Sequence, residues 1–207
     1  MVEENVAWLN CDVEDLWLFD KLLLSKKLGY VCGPRGVDVP SPGVYVTRPC
    51  VNITGMGIGA SFTYLSGETD YEMPAGYFWS EVFKGAHLSI DYIDGKQVLA
   101  VRGYKSPRNP LWKWSRWVKV SYDFVLPPFL QALAEKYKYM NVELIGGKII
   151  EVHLRLNPDW ISDDVLEVIP VFRGDTIKLS NDYEYIESKD YLREGFYIRR
   201  SNEETKN

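Results

Sequence analysis

The sequence predicts an α+β fold, built mainly from antiparallel sheets with a few packed helices. Two hairpins carry this prediction, because alternating apolar residues flank an Asp-Gly turn at 94–95 and a Gly-Gly turn at 146–147. Helical periodicity in segments 12–28 and 129–139 supplies the helices. Strands joined by tight turns, with separate helical segments, are typical of this class.

Composition restricts the classes of function. The chain has 207 residues and a net charge of −5, which argues against general electrostatic capture of nucleic acid or acidic membranes. No apolar run approaches the roughly 20 residues that cross a bilayer, and we do not expect the acidic start to be a signal peptide. The three cysteines form no C-x-x-C pair, so we expect reduced thiols and a cytoplasmic protein. With two histidines, a His-rich zinc site is excluded.

The first candidate site is a strand followed by glycines, residues 43–60. Arg48 ends the strand, and Gly55, Gly57 and Gly59 follow. Glycines at alternate positions let backbone N–H groups converge on an anion, most often a phosphate. The stretch therefore predicts a nucleotide triphosphate site, although a glycine-rich hairpin with an exposed arginine fits the same residues.

The pattern of elements predicts how the chain is organised. A single first helix is expected over 12–28 with Asp12 as its cap. Near the end we expect strands at 166–172 and 176–179 and a short helix at 188–194, without catalytic groups. The expected parts are an N-terminal lobe at 1–76, a second lobe at 77–160 and a C-terminal extension at 161–207.

Segment 95–122 is locally basic and rich in tryptophan. It contains seven lysines and arginines and no acidic residue, with Trp112, Trp114 and Trp117 among them. Basic residues beside aromatic rings suit single-stranded nucleic acid, and they equally suit the phosphates and substrate of a nucleotide site. An amphipathic hairpin with its tryptophans in the core explains the pattern as well. The acidity of the whole chain counts against the nucleic-acid interpretation.

The second hairpin, 142–156, carries charged residues on one face of its second strand. Period two places Glu151, His153 and Arg155 together, while the alternate residues are apolar. This face is either a solvent face or a site. Carboxylates that bridge to phosphates through a divalent cation would show this pattern.

A further carboxylate, Glu143, lies on the first strand of the same hairpin. A two-residue turn would pair Glu143 with Ile150, which points the carboxylates of Glu143 and Glu151 to opposite faces. The two carboxylates converge only if the loop has three residues or a bulge inserts one.

Taken in order over residues 20–157, these stretches resemble the ATP-grasp ligases. The Asp-Lys pair at 20–21 resembles the early pair whose lysine contacts ATP, and VTRP resembles the hydrophobic-Lys-Pro strand with Arg48 in place of the lysine. The glycine loop resembles the phosphate flap. The segment SEVFKGAHLSIDY resembles the hinge motif, which implies Glu81 near the adenine and His87 in place of the ribose-binding glutamate.

The segments NVEL and IIEVHLR resemble the final metal-binding hairpin of that family. The resemblance implies two α+β lobes with ATP and Mg²⁺ held between them. It also implies ATP-dependent activation of a carboxylate to an acylphosphate, which an amine or similar nucleophile then attacks. His153 stands at the position of the usual asparagine. The implied site residues are Arg102, Lys105 and Arg155 for catalysis, Lys21, Arg48, Gly55, Gly57, Gly59, Glu81 and His87 for the nucleotide, and Glu143, Glu151 and His153 for the metal.

The resemblance does not include the α/β domain that usually precedes this fold. It therefore implies a reduced form, or a protein partner or homodimer that completes the pocket for a small-molecule or peptide substrate. The replacements at Arg48, His87 and His153 leave a second hypothesis open, a catalytically degenerate ATP-grasp fold that binds a nucleotide or a protein. Binding of single-stranded nucleic acid through 95–122 is the third.

Overall fold

A computed structural model describes residues 4–51, 57–66, 73–190 and 192–201. Within these residues every strand pair is antiparallel, and the strands form one sheet of four and one of eight. The predicted α+β class with mainly antiparallel sheets is confirmed. No helix in the described part of the chain has the length and hydropathy needed to cross a bilayer.

The elements are short and follow one another closely. The helices are α1 (Glu4–Leu9), α2 (Lys21–Lys27) and α3 (Pro128–Lys136), and a 3-10 helix spans Val13–Phe19. The strands are β1 (Cys32–Pro34), β2 (Gly43–Pro49), β3 (Ser61–Leu65), β4 (Tyr77–Ser80), β5 (His87–Ile93), β6 (Lys96–Tyr104), β7 (Arg116–Lys119), β8 (Tyr139–Ile145), β9 (Lys148–His153), β10 (Val165–Phe172), β11 (Glu184–Asp190) and β12 (Arg193–Arg200).

The chain passes from the first sheet to the second through one connecting segment. The small sheet has the order β1-β4-β2-β3, and the large sheet has the order β11-β12-β10-β7-β6-β5-β8-β9. Residues 81–86 join β4 of the small sheet to β5 of the large sheet, so the sheets separate there and not at 76–77. Because β10 pairs with both β7 and β12, the strands after residue 161 continue the large sheet and do not form a separate extension.

The single helix expected over 12–28 is in fact two shorter helices. The 3-10 helix and α2 are separated by Asp20, which has an extended backbone. The Asp20 carboxylate accepts hydrogen bonds from two backbone N–H groups of α2, at 2.8 and 3.1 Å, whereas Asp12 makes no capping hydrogen bond. Because a capping side chain satisfies donors that a helix start leaves unpaired, Asp20 defines the beginning of α2.

Two of the C-terminal expectations are also wrong. Residues 176–179 form no strand, and the segment expected as a helix at 188–194 contains the end of β11 and the start of β12. Phe196 and Ile198 alternate along β12 and are buried against β10. Burial of this alternating pair therefore favours a strand. The strand expected at 166–172 is confirmed as β10.

The largest apolar core lies between the helices and one face of the large sheet. Alternate residues of β5 and β8 face this core, because a strand presents every second side chain to the same side. Leu24 of α2 and Leu130 of α3 are fully buried there. The opposite face of the same strands carries buried polar residues, including Ser89 and Asn141, and this face positions the site.

We expect Asp20→Ala to lower the free energy of unfolding by about 1 kcal/mol, because two amide groups at the start of α2 lose their acceptor. Asp12→Ala is the control: Asp12 is exposed, caps nothing, and loses only a surface ion pair with Lys136, so its change should be clearly smaller. Urea unfolding followed by circular dichroism measures both variants. Equal losses in the two variants would contradict the assignment of this helix start.

Candidate functional site

A cavity of about 330 Å³ lies where the two sheets face each other. The small sheet contributes residues of β2, β3 and β4 to its wall, and the large sheet contributes residues of β5, β7, β8, β9, β10 and β12. The predicted site residues on its wall are Lys21, Arg48, Gly57, Glu81, His87, Lys105, Glu143, Glu151, His153 and Arg155.

Two described residues from the predicted set are not on this wall. Arg102 pairs with Leu88, which faces the helix-side core, so Arg102 lies on the opposite face of the sheet from the cavity. Arg102 is exposed, and its guanidinium lies 5.1 Å from the ring centroid of Tyr104. Gly59 packs against a tyrosine of β4. Gly55 lies outside the described residues.

A β-bulge in the second hairpin puts two carboxylates on the same face. Leu144 pairs with Ile149, but the next pair is Glu143 with Glu151, so Ile150 is an inserted residue. Ile150 therefore lies on the cavity wall beside Glu151, and not on the apolar face where strict alternation places it. This bulge is the feature that the sequence requires for the carboxylates of Glu143 and Glu151 to converge.

Each of these carboxylates has a basic neighbour. Nζ of Lys21, at the start of α2, lies 3.4 Å from Oε1 of Glu151. Nε2 of His87, at the start of β5, lies 3.0 Å from Oε2 of Glu143. Burial raises the pKa of Glu143, but the hydrogen bond and charge of His87 outweigh burial and hold that pKa below its ordinary value. Glu143 is therefore anionic at neutral pH.

Arg48 brings a buried cation from the small sheet. It is 9% exposed, and its Nε has no hydrogen-bond partner among the described residues. Burial lowers the pKa of Arg48, while the charges of Glu151 and Glu143 oppose this change. Nζ of Lys21 is likewise buried without a hydrogen-bond partner in the described structure. Since unsatisfied buried donors are costly, these two cations fit an anionic ligand in the cavity.

Glu4 of α1 contacts two residues of the cavity wall, and the sequence patterns did not identify it. Its Oε2 lies 3.0 Å from Nδ1 of His153 and accepts a hydrogen bond of 2.6 Å from Nε of Arg155. Nε2 of His153 lies 3.6 Å from Glu151 and 3.9 Å from Glu143. No local pattern could mark Glu4, because 149 positions separate it from His153.

The imidazole of His153 is held between carboxylates. Burial lowers the pKa of His153 and the charge of Arg155 lowers it further, but Glu151 and Glu4 together outweigh both and raise it above its ordinary value. Burial raises the pKa of Glu4, yet His153 and Arg155 bring it below its ordinary value. The site thus contains a charged network in which Glu4 contacts two of the predicted residues.

A buried network around Asp91 supports the wall from behind. Asp91 is 3% exposed and accepts hydrogen bonds from Nδ2 of Asn141 at 2.7 Å and from the backbone N–H of Asn157 at 3.0 Å. Asn141 also donates to Oγ of Ser89 at 2.8 Å. Burial raises the pKa of Asp91 to about 6. The network ties the chain after β9, which includes Arg155, to β5 and β8.

The candidate metal ligands form an open set. Among the described residues, one group of three acidic side chains has ligand atoms that all lie within 4.8 Å of one another: Asp12, Glu14 and Asp15. This group is not on the cavity wall, and Lys136 pairs with all three carboxylates at 2.6–3.3 Å. The carboxylates on the cavity wall are more widely spaced. Mg²⁺ often takes one or two protein carboxylates and completes its coordination with substrate phosphates and water. The open set therefore fits a metal that binds together with a nucleotide.

The class of fold is defined by two antiparallel sheets on either side of a cleft that is lined by basic side chains and carboxylates. Comparison with solved structures identifies this fold. The chain is similar to an L-amino acid ligase from Bacillus licheniformis, with a TM-score of 0.53 and 11% identity over 92% of this chain and 68% of that one. It is similar to N5-carboxyaminoimidazole ribonucleotide synthetase from Thermus thermophilus, with a TM-score of 0.53 and 10% identity over 89% and 68%. A protein from Archaeoglobus fulgidus assigned to the ATP-grasp superfamily matches with a TM-score of 0.50 and 16% identity over 89% and 65%.

The chain therefore has an ATP-grasp fold, as the resemblance in its sequence implies. It spans 65–68% of the length of these solved structures. No protein-family model matches the sequence, and no curated protein matches it. Because the identities are only 10–16%, the likeness defines the fold, and the roles of residues are argued from the geometry of this chain.

We expect the imidazole of His153 to titrate above pH 6.5 in the metal-free and nucleotide-free protein. Glu4→Gln should lower this pKa, because it removes one of the two carboxylates that favour the protonated ring. Since the folded-state pKa is raised, the proton stabilises the fold fully below the unfolded value near 6.5, and this contribution is lost as the pH rises through the folded-state pKa.

Proton NMR titration measures this pKa, and a His87→Gln variant assigns the two imidazole signals. Glu14→Gln is the control, because Glu14 is exposed and pairs with Lys136 away from the cavity. A His153 pKa that is the same in Glu4→Gln and in the unmodified protein would show that Glu4 does not act on the imidazole.

Proposed function

We propose that the protein is an ATP-dependent carboxylate ligase that forms an acylphosphate and transfers the acyl group to an amine or similar nucleophile. One observation carries the proposal: two buried cations with unsatisfied donors, Arg48 and Lys21, face two carboxylates, Glu143 and Glu151, around one cavity. This arrangement suits a polyphosphate that binds with its metal. The ATP-grasp fold supports the same proposal.

The nucleotide would lie between the two sheets. Arg48 would contact its phosphates from the small sheet, and the planar guanidinium can form two parallel hydrogen bonds where the family's lysine forms a point contact. Gly57 lies on the same wall and has a positive φ of 68°, a conformation that suits glycine. Glu81 and His87, at either end of the connector, would face the base and the ribose. The Glu81 carboxylate accepts a hydrogen bond of 3.1 Å from the backbone N–H of Val31, which orients it.

Magnesium would be held by Glu143 and Glu151 together with phosphate oxygens. Bound there, Mg²⁺ would neutralise charge on the transferring phosphoryl group. Lys21 and His87 would then exchange their carboxylate contacts for contacts with the nucleotide. His153 offers a nitrogen at the position where the family offers an oxygen, and it can ligate a metal only after it loses its proton.

The reaction consists of two displacements. An oxygen of the substrate carboxylate attacks the γ-phosphorus of ATP, the bond to the β–γ bridging oxygen breaks, and ADP leaves. The amine then attacks the acyl carbon, the bond from that carbon to the phosphate oxygen breaks, inorganic phosphate leaves with the electron pair, and the amine loses a proton. Arg155 and Lys105 line the cavity and would stabilise the charge on the transferring group.

The acid and the nucleophile would be small molecules or peptides. The L-amino acid ligase among the similar structures acts on amino acids, as its name states, and this supports a small carboxylic acid here. The cavity volume of about 330 Å³ is at the lower end of the range typical of small-molecule sites.

A nucleotide-binding protein without catalysis is the second candidate. The contact of Glu4 with both His153 and Arg155 favours it, because this carboxylate already satisfies two of the groups that the reaction would use. The two candidates agree on nucleotide binding and differ in the formation of an acylphosphate.

We expect saturating ATP with Mg²⁺ to raise the melting temperature by about 5–10 °C. This estimate corresponds to about 2.7 kcal/mol at a ligand concentration of 100 times Kd and about 2–4 °C per kcal/mol for a chain of this size. Arg48→Met and Glu151→Gln should each remove most of the shift, because they delete a cation and a carboxylate of the cavity.

Arg102→Met is the matched control for Arg48→Met, since Arg102 is exposed on the other face of the sheet and its variant should keep the full shift. Differential scanning fluorimetry compares each variant with and without nucleotide, so a changed baseline stability does not affect the result. If millimolar ATP with Mg²⁺ leaves the melting temperature of the unmodified protein unchanged, the proposed function is wrong.

A hydroxylamine trap separates the two candidates. Hydroxylamine attacks an acylphosphate and yields a hydroxamate, so a ligase should produce hydroxamate and ADP in equal amounts from ATP and a panel of carboxylic acids. Arg155→Lys should slow hydroxamate formation at least tenfold, because the substitution removes the planar guanidinium. Nucleotide binding without hydroxamate from any acid would instead support the binding protein.

A further inference from the structure

One end of the cavity is walled by apolar side chains from β10 and from the chain between β6 and the end of β7. We call this wall the tryptophan subsite, and its residues are Leu111, Trp112, Trp114, Trp117, Pro170 and Phe172.

The rings of the tryptophan subsite pack in edge-on or tilted pairs, and two of them contact His87. The ring centroid of Trp114 lies 4.9 Å from that of Trp117 and 4.4 Å from that of His87. The ring of Trp112 packs edge-on against Phe172, at 5.4 Å between centroids. All three indoles remain partly exposed, so they form a wall of the cavity and do not simply fill the core. This position favours a binding role for the tryptophans of segment 95–122.

Strand β6 is shaped to accept these indoles. A Cβ atom at Gly103 would come within 2.8 Å of Trp114 and 2.9 Å of Trp117, so a glycine at this position lets both rings pack on the strand. Trp117 belongs to β7 and pairs directly with Gly103. The apolar wall is therefore built on paired strands of the large sheet.

Two cations border the tryptophan subsite. Nζ of Lys105 lies 5.4 Å from the ring centroid of Trp114, and burial lowers the pKa of this ammonium to about 8 with no described carboxylate to offset it. The Arg193 side chain is 9% exposed and pairs with Asp159 through Nη1, but its buried Nε has no hydrogen-bond partner among the described residues. Both cations line the cavity, and an anionic group on a ligand would satisfy their donors.

We propose that the tryptophan subsite binds a carboxylic acid with an aromatic or comparably large apolar side chain. The inference rests on the proposed function, because this acid would be the one that ATP activates. The indoles cover the side chain, and Lys105 and Arg193, which line the same cavity, attract the carboxylate. A small acid lacks the contact area with the rings, and a neutral compound of the same shape lacks the charge.

Ligand-observed NMR titration of the nucleotide-free protein with 3-phenylpropionate tests this proposal. We expect saturable binding, and at least tenfold weaker binding of propionate, which lacks the ring, and of 3-phenylpropanamide, which lacks the charge. Trp114→Leu should weaken the binding of 3-phenylpropionate at least tenfold, and Lys105→Gln should reduce the preference for the acid over the amide, because Arg193 remains. Trp112→Leu is a second variant for the case that Trp114→Leu does not fold.

Trp17→Leu is the matched control, because Trp17 stacks on Phe129 at 6.1 Å away from the cavity and its variant should bind 3-phenylpropionate as the unmodified protein does. Equal binding of acid and amide, or binding that survives the loss of the subsite indole, would overturn the proposal. Displacement of 3-phenylpropionate by adenosine would also overturn it, because the subsite would then belong to the base of the nucleotide.

The titration contains no ATP, so its failure and that of the proposed function are distinguishable. Binding of 3-phenylpropionate by a protein that does not respond to ATP would retain the tryptophan subsite and reject the ligase. Stabilisation by ATP without binding of 3-phenylpropionate would reject the substrate class and retain the ligase.

Discussion

Two carboxylates held side by side on paired strands are the constraint on which the rest of the site depends. Glu143 and Glu151 lie directly opposite each other across β8 and β9, and the bulge at Ile150 points both to one cavity. Like charges at this spacing repel, and burial increases the cost. Basic side chains around the pair offset this cost, and Lys21 and His87 provide contacts at 3.4 and 3.0 Å.

The compensating charges come from parts of the chain that are distant in sequence. Lys21 belongs to α2, the helix that Asp20 caps, and Arg48 belongs to the small sheet. Glu4 of α1 contacts both His153 and Arg155 and orients their side chains. The packing of the small sheet and the helices against the large sheet is thus linked to the electrostatics of the cavity. A ligand that carries both negative charge and a divalent cation matches this arrangement, because it supplies acceptors to the buried donors and a positive charge to the carboxylates.

Local chemistry made several features predictable. The Asp-Gly turn at 94–95 has positive φ at both residues, as the turn between β5 and β6 requires, and the alternation of polar and apolar residues defined the face that carries Glu151, His153 and Arg155. The predictions from local sequence were wrong where contacts with residues distant in the sequence decided the secondary structure or the direction of a side chain. Burial against β10 made a strand where the local pattern predicted a helix at 188–194, and pairing of Arg102 with Leu88 turned that arginine away from the cavity.

The sequence by itself determined the α+β class, the hairpins, the order of motifs that resembles the ATP-grasp fold, and most of the charged residues on the cavity wall, because turn chemistry and side-chain period act over a few residues. Tertiary structure alone decided that Glu143 and Glu151 share a face, that Glu4 contacts His153, and that the tryptophans of segment 95–122 face the same cavity. The physical reason is that a single inserted residue reverses the direction of a strand's side chains, and that contacts across 149 positions form only when the packed sheets bring them together.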